Sequence, residues 1–516
     1  MNDEKRSHGG HELADLVRRS YSKGEIDYSL NPISLGTGYI HDGDSVVFCC
    51  RRGEREIELT EMFTDPDFNK VERRALKDLD FSILTLYHEK FKDLPVVFGP
   101  SHVKMPLAEV LSKAGKTQFH CSESEKFAHV TFFLNGGENQ PFPGEVDTCV
   151  PSLKGVPFDT KPELSLPEVA DKVVDALGKY DFIVTNFANG DVIGHTANDS
   201  AKIEAAGHVS RALEKVITAA KEAGYVIAVT ADHGNIEVLH TDKGKPHVAH
   251  TSNLVAFIMI DPQDPGSIKL SDGSLKDIAP TVLNVMGIPQ PAEMDGSVLC
   301  SGHDFGKDRR MLLIICDGWG FGDKTENDAI FLGNTPYWDQ LLENESWSSL
   351  HASGGFVGLG EGKPGNSEAG HSNIGAGRVV PQDDIRLDSA IADGSFMQNP
   401  VLLKTIERTK EKGCALHLIG LLTKKSSHGS IYYPLAVAEM AKNLPEVYLH
   451  VIFDGRSTEP GSAPALLEEL DDMINSRGLN LRVVDGVGRG IALDRDGNYA
   501  KVKLAYDNMI GDSDAN

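Results

Sequence analysis

Three short segments place aspartate, with histidine or glycine close by, directly after an apolar run. Met311–Cys316 (MLLIIC) leads into Asp317-Gly-Trp-Gly, and Tyr225–Thr230 (YVIAVT) leads through Ala231 into Asp232-His233-Gly-Asn. Tyr180–Phe187 (YDFIVTNF) leads through Ala188 into Asn189-Gly-Asp191-Val-Ile-Gly-His195. A further histidine, His250, stands in Ala249-His250-Thr251 just ahead of Leu254–Ile260 (LVAFIMI). Asp191 and His195, four apart, face the same way on a helical turn. Mixed Asp/His donors without cysteine suit Zn or Mn, and the carboxylate-rich share shifts the balance toward Mn. Singly, an aspartate after a strand is ordinarily a cap or turn residue, and a histidine is ordinarily packed or solvated. What points to a metal is that all of these positions fall at strand ends. The segment Lys363-Pro-Gly-Asn-Ser367-Glu-Ala-Gly-His371-Ser-Asn-Ile-Gly-Ala-Gly-Arg378 also sets a serine on a glycine-flanked turn, where backbone can approach a ligand closely. By spacing alone it reads as a plain polar loop.

Elements that could position these groups are written in the apolar pattern. Short runs rich in β-branched residues, including Ala415–Gly420 and Val447–Phe453, alternate with longer amphipathic stretches, which is the pattern of an α/β protein. Ile203, Ala206, Val209, Leu213, Val216, Ile217 and Ala220 share one helical face, and Gly224 ends that helix. In an open α/β sheet, ligands gather beyond the carboxyl ends of the strands, so the Asp and His groups would converge in one crevice. The 516 residues are too many for one compact core, so two sizeable domains are expected. Val96–Ser101 and Gly377–Asp384 carry breakers and are the expected crossings; Ser301–Arg310 is a polar connector.

A formal charge of −25 without a basic run argues against nucleic acid or anionic membrane as a partner. The amino terminus lacks an apolar signal region, and no run reaches the ~20 apolar residues of a spanning helix. Seven scattered cysteines without Cys-x-x-Cys indicate neither a disulfide framework nor a zinc knuckle, which fits a reduced cytoplasm.

Together, DGWG, GNSEAGH, NGDVIGH, TADHGN, AHT and Glu123-Ser-Glu-Lys126-Phe-Ala-His-Val-Thr resemble the cofactor-independent phosphoglycerate mutases of the alkaline phosphatase superfamily. The resemblance implies an alkaline-phosphatase-like metal domain with a central, mostly parallel sheet over residues 101–381. Residues 1–100 and 382–516 would together form a second α/β domain that handles substrate. It implies that Ser367 is phosphorylated beside Lys126. Asp317, Ser367, Asp232 and His233 would hold one metal, and Asp191, His195 and His250 a second. The ions would be divalent, Mn foremost, with no requirement for 2,3-bisphosphoglycerate. Substrate-binding positions fall on His428, Arg456, Ser457, Arg489, Arg495, Arg52 and Arg55. Several arginines suit an anionic substrate, since the guanidinium fork pairs bidentately with carboxylate or phosphate. The expected protein is a cytoplasmic monomer acting on phosphoglycerate.

Two departures bear on activity. The family pattern Asp-Gly-Arg-Asp is Asp454-Gly-Arg456-Ser457 here, and Ser457 cannot act as a carboxylate base; that loss leaves water competitive unless Asp454 or Asp494 takes over the task. The family's Ser-Asp-Gly-Gly-Val-His-Ser-His becomes Thr423-Lys-Lys-Ser-Ser-His428-Gly-Ser. The order of segments also differs. Pro291-Ala-Glu-Met294-Asp-Gly296, which ends the family pattern, here precedes the DGWG strand through a short connector, as in a circular permutation. The leading expectation is a mutase interconverting 3- and 2-phosphoglycerate. A phosphatase or mutase of another small phosphorylated metabolite is the alternative, followed by a non-catalytic binder of such metabolites.

Overall fold

The computed structural model describes residues 7–512 other than Arg52, Ser101, Ser301, Lys425 and Ser427. The chain forms two α/β units, one of Met1–Pro100 with Arg386–Asn516 and the other Ser101–Ile385. The second crossing thus falls at Ile385, four residues past Pro381.

The Ser101–Ile385 unit is built on eight strands. Their order is Gly273–Ser274, Ser346–His351, Val255–Ile260, Val226–Thr230, Met311–Cys316, Phe182–Phe187, Gln118–Glu123 and Glu145–Val150. From Val226–Thr230 outward to Glu145–Val150 every pairing is parallel, whereas Val255–Ile260 runs antiparallel to both of its neighbours. Val226–Thr230, Met311–Cys316 and Phe182–Phe187 are buried throughout, as continuous apolar strands covered on both faces must be. The helix expected after the Phe182–Phe187 strand runs Asp199–Glu222, opened by the Asn198 side chain accepting the Ala201 N–H and closed before Gly224 at φ +74°.

The other unit carries seven strands in the order Ile33–Ser34, Arg482–Gly488, Val447–Phe453, Leu416–Leu422, Ser45–Phe48, Asp80–Thr85 and Val96–Phe98. All pairings are parallel except the first. Its sheet is covered twice. Val47, Cys49, Leu418 and Leu449 belong to one apolar layer, and Val46, Phe48, Ile419 and Ile452 to the other, following the two-residue period of a strand. Among the described residues no helix is long and apolar enough to cross a membrane.

Candidate metal and phosphoryl-transfer site

In the Ser101–Ile385 unit the carboxyl ends of three adjacent parallel strands deliver Asp191, Asp232 and Asp317, each following its strand by one to four residues. The strand after His250 runs the opposite way, so its amino end lies at the same edge, and His250 joins the group from there. Ser367 arrives differently, as the first residue of the helix Ser367–Ala376, whose preceding Asn366 accepts the Ala369 N–H at 2.8 Å. A negative group on Ser367 Oγ would therefore sit at the positive end of a helix. Close approach depends on glycine. A Cβ on Gly370 would lie 2.6 Å from the Asp232 carbonyl oxygen, and one on Gly190 2.4 Å from that of Asp317.

Lys126 Nζ occupies the middle, 2.7 Å from Asp191 Oδ2, 2.8 Å from Asp317 Oδ1 and 2.7 Å from Ser367 Oγ. Ser367 Oγ is also 3.0 Å from His233 Nε2 and donates to Asp317 Oδ1 at 3.1 Å. Asp191 Oδ1 faces His195 Nε2 at 3.2 Å and His250 Nε2 at 3.0 Å. The far nitrogens of both rings are held by backbone carbonyls, Val248 O at 2.9 Å and Gly365 O at 2.8 Å, so each Nε2 is oriented toward the carboxylate. Lys126 itself lies just before the π-helical turn His129–Phe133, a local feature frequent at functional sites.

Three groups went unassigned in the sequence. His371, on the helix that Ser367 begins, sits with Nδ1 3.3 Å from Asp232 Oδ2. Asn186 donates to Asp317 Oδ2 at 2.7 Å, and Asn235 to Asp191 Oδ1 at 2.9 Å. His371 falls inside the GNSEAGH segment, and Asn235 inside TADHGN, so the motifs held a signal. Asn186 is an ordinary strand residue and held none.

The donor set fits divalent cations. Asp191, His233 and His250 form one group with ligand atoms within 4.8 Å of one another, and Asp232, Asp317 and His371 form another. Asp232 Oδ2 is buried without a hydrogen bond. Electrostatics agree. Burial opposes ionisation of Asp191, but Lys126, His195 and His250 overcome it and hold its carboxyl well below the usual range. Burial and the charge of Asp232 push Asp317 up. A hydrogen bond to Asp191 raises His195, and Asp191 likewise raises His250 against the effect of burial. Carboxylates packed this closely call for more positive charge than one lysine supplies.

In the other unit, the corresponding sheet edge gathers the substrate candidates. Arg489 directly follows the Arg482–Gly488 strand, Arg456 and Ser457 follow Val447–Phe453, His428 follows Leu416–Leu422, and Arg55 follows Ser45–Phe48. Arg489 and Arg55 are buried; Nη1 of the first donates to Asp454 Oδ1 at 2.5 Å, and Nη1 of the second to Leu493 O at 3.0 Å. Arg456, Ser457 and Arg495 are exposed. Arg52 lies outside the described residues.

Neither carboxylate considered in place of the missing aspartate is uncommitted. Asp454 is paired with Arg489, and Asp494 accepts the Asp496 and Asn498 N–H groups and pairs with Lys501. A carboxylate that sequence reasoning missed stands instead beside the substrate candidates. Glu56, fully buried in the helix Gly53–Thr64, places Oε1 3.1 Å from His428 Nδ1. Burial raises its pKa, partly offset by His428.

Comparison with known proteins adds family evidence. Residues 4–290 match the model described as the metalloenzyme superfamily, and residues 387–516 match that described as the BPG-independent PGAM N-terminus. A 2,3-bisphosphoglycerate-independent phosphoglycerate mutase of Akkermansia muciniphila is 42% identical over 290 residues, covering 55% of this chain and 56% of that protein. The protein of the same name from Moorella thermoacetica is 42% identical over 299 residues, covering 56% of this chain and 58% of that one. The chain thus spans little more than half the length of the curated relatives it matches. A Leishmania mexicana phosphoglycerate mutase structure aligns with a TM-score of 0.41 at 29% identity, over 50% of this chain and 51% of that one.

Proposed function

The chain belongs to the metalloenzyme superfamily, and we propose that it is a metal-dependent phosphoglycerate mutase interconverting 3- and 2-phosphoglycerate through phosphorylated Ser367, without 2,3-bisphosphoglycerate. The observation that carries this reading is the surroundings of Ser367 Oγ, 2.7 Å from a buried lysine and 3.0 Å from a buried histidine at a helix start. A binding protein has no need of so equipped a hydroxyl. Relatives that bear the mutase name at 42% identity support the substrate class.

Two divalent ions, Mn in this reading, would be held by Asp317, Asp232, His233 and Ser367, and by Asp191, His195 and His250. When bound they would stabilise phosphoryl oxygens and favour the deprotonated serine. Lys126 adds its charge to the same oxygens. The arginines Arg52, Arg55, Arg456, Arg489 and Arg495 hold the glycerate, with Ser457 beside them. When a glycerate hydroxyl oxygen attacks, its bond to phosphorus forms as the bond from phosphorus to Ser367 Oγ breaks. Ser367 Oγ would leave as the alkoxide that the bound ions and the Lys126 charge favour, and the attacking hydroxyl must release its proton. His428 accepts that proton in this reading. Its Nδ1 faces Glu56, and no described residue hydrogen-bonds its Nε2. The pair thus serves where Ser457 cannot, as a carboxylate-oriented imidazole base.

The order of the two family matches supports a circular permutation, because the model named for an N-terminus lies at 387–516, behind the metalloenzyme match. In the same reading the protein works as a monomer in the cytoplasm, where its seven free cysteines would stay reduced. The second reading, a phosphatase, is favoured by the exposed Ser457, since weaker proton handling would let water take the phosphoryl group. Acid quenching of turnover followed by peptide mass mapping tests the shared step. Phosphate on the Ser367 peptide, absent in Ser367→Ala, is expected; turnover with Ser367 never phosphorylated would refute both readings.

A further inference from the structure

At the far edge of the eight-stranded sheet, a second set of ligand-type side chains shares no residue with the Ser367 cluster. His120 and Asp147 are direct partners in the parallel ladder between Gln118–Glu123 and Glu145–Val150, so their side chains leave the same face. Glu145, two residues before Asp147, joins them there. One donor atom of each of the three lies within 4.8 Å of the others. Glu145 Oε1 is 3.4 Å from His120 Nδ1 and accepts Asn135 Nδ2 at 2.6 Å.

Hydrogen bonding in this set is left unbalanced in one direction. His120 is fully buried, and its Nδ1 is 2.8 Å from Val130 O. A carbonyl can only accept, so Nδ1 carries the proton and Nε2 presents a lone pair. That Nε2 is buried with no partner. Asn135 Oδ1, on a side chain only 2% exposed, and Asp147 Oδ1 are in the same condition. All three orphans are acceptors, and buried acceptors without donors are costly. A cation is a partner for such acceptors, and a histidine whose other nitrogen donates to a backbone carbonyl is the form in which imidazole ordinarily ligates.

We propose that His120, Glu145 and Asp147 form a second, separate divalent-cation site of the Zn type, one imidazole with two carboxylates. The imidazole nitrogen favours zinc over calcium or magnesium, which take oxygen ligands. Burial holds His120 below its ordinary pKa, keeping the ring neutral. Burial and the neighbouring Glu145 push Asp147 up to about 6, a crowding of carboxylates that a dication relieves. Asp147 is half-buried rather than fully enclosed, which gives an ion a way in. Glu145–Val150 is the outermost strand, paired on one side only, and the ion would clamp it to its neighbour.

Crystals of the full chain grown with Zn2+ should show an anomalous peak about 2.0–2.2 Å from His120 and the two carboxylates. In solution, the wild type freed of excess Zn2+ should retain one more equivalent than His120→Gln or Asp147→Asn. Asp147 is half-buried and Asn is its isostere, which makes the second change gentle on the fold, and the crystal experiment needs no variant. Peaks at the Ser367 cluster with none beside His120, or equal zinc in wild type and Asp147→Asn, would overturn the site and leave its acceptors to bound water.

Discussion

At the carboxyl edge of the eight-stranded sheet, Asp191, Asp232 and Asp317 surround a single buried lysine, whereas the same edge of the seven-stranded sheet presents Arg55, Arg456 and Arg489. Asp232 Oδ2 is a buried acceptor without a donor on the first, while the second leaves Arg489 Nε and the acceptors Glu56 Oε2 and Asp454 Oδ2 without partners. Both edges obey the same topological rule, that functional groups collect where parallel strands end. The rule fixes only the location. In the proposed reading, side-chain charge decides that one edge takes cations and the other an anionic metabolite. His195 and His250 are raised by Asp191, while His417, buried inside the seven-stranded sheet, is lowered to about 4, chiefly by burial.

If the edges divide the work in this way, defects in one should leave the other's ligand untouched. Removing the nucleophile has the largest expected effect. Ser367→Ala should lower turnover by at least about 10⁴-fold with Mn2+ still bound, as read by calorimetric titration; a fully active variant would break the comparison. Glu56→Gln should lower kcat by about 10²–10⁴-fold and displace the acid limb of the pH–rate profile. Glu56→Asp should restore part of the rate, and Mn2+ affinity should be unchanged. A flat loss at every pH would reduce Glu56 to a packing residue.

Arg489→Met strands Asp454 in the interior and should cost about 3–5 kcal/mol of stability, measured by urea unfolding. Adding Asp454→Leu should recover most of that stability but none of the substrate affinity. Recovery of both would remove Arg489 from the anion-binding edge.

The smallest effect is a pH dependence. His417 Nε2 faces Asp44 Oδ2 at 3.2 Å, and its Nδ1 faces His450 Nε2 at 3.0 Å. Its folded pKa of about 4 lies below the ordinary 6.5. Between those values the unfolded chain binds more protons, so stability should fall as pH drops from about 6.5 to 4, by at most about 3 kcal/mol. Unfolding of His417→Gln should show a shallower slope over that window. An unchanged slope would assign the dependence to other groups.

The metal-type cluster was legible because its members follow apolar runs in the sequence, a local signal. His250 fitted the pattern only through topology, since its strand runs antiparallel and brings its amino end to the shared edge. Glu56 was not legible. In Arg55-Glu56-Ile57-Glu58-Leu59 it reads as one more charge on an amphipathic helix, and its hydrogen-bond partner His428 lies 372 positions away. The His120 group was hidden for a related reason. Cross-strand neighbours 27 residues apart declare themselves only when register is known. Asp454 and Asp494 show the converse, residue types suited to a task and positions already occupied by other partners.

Supplying 3-phosphoglycerate with Mn2+, and following 2-phosphoglycerate and free phosphate in the same reaction, tests most directly whether the two edges act as one mutase. Conversion to the 2-isomer with little phosphate released, abolished by chelation, is the predicted result. Phosphate release without the 2-isomer would contradict it. In that event Ser457→Asp should increase the isomerised share if the missing carboxylate is the cause.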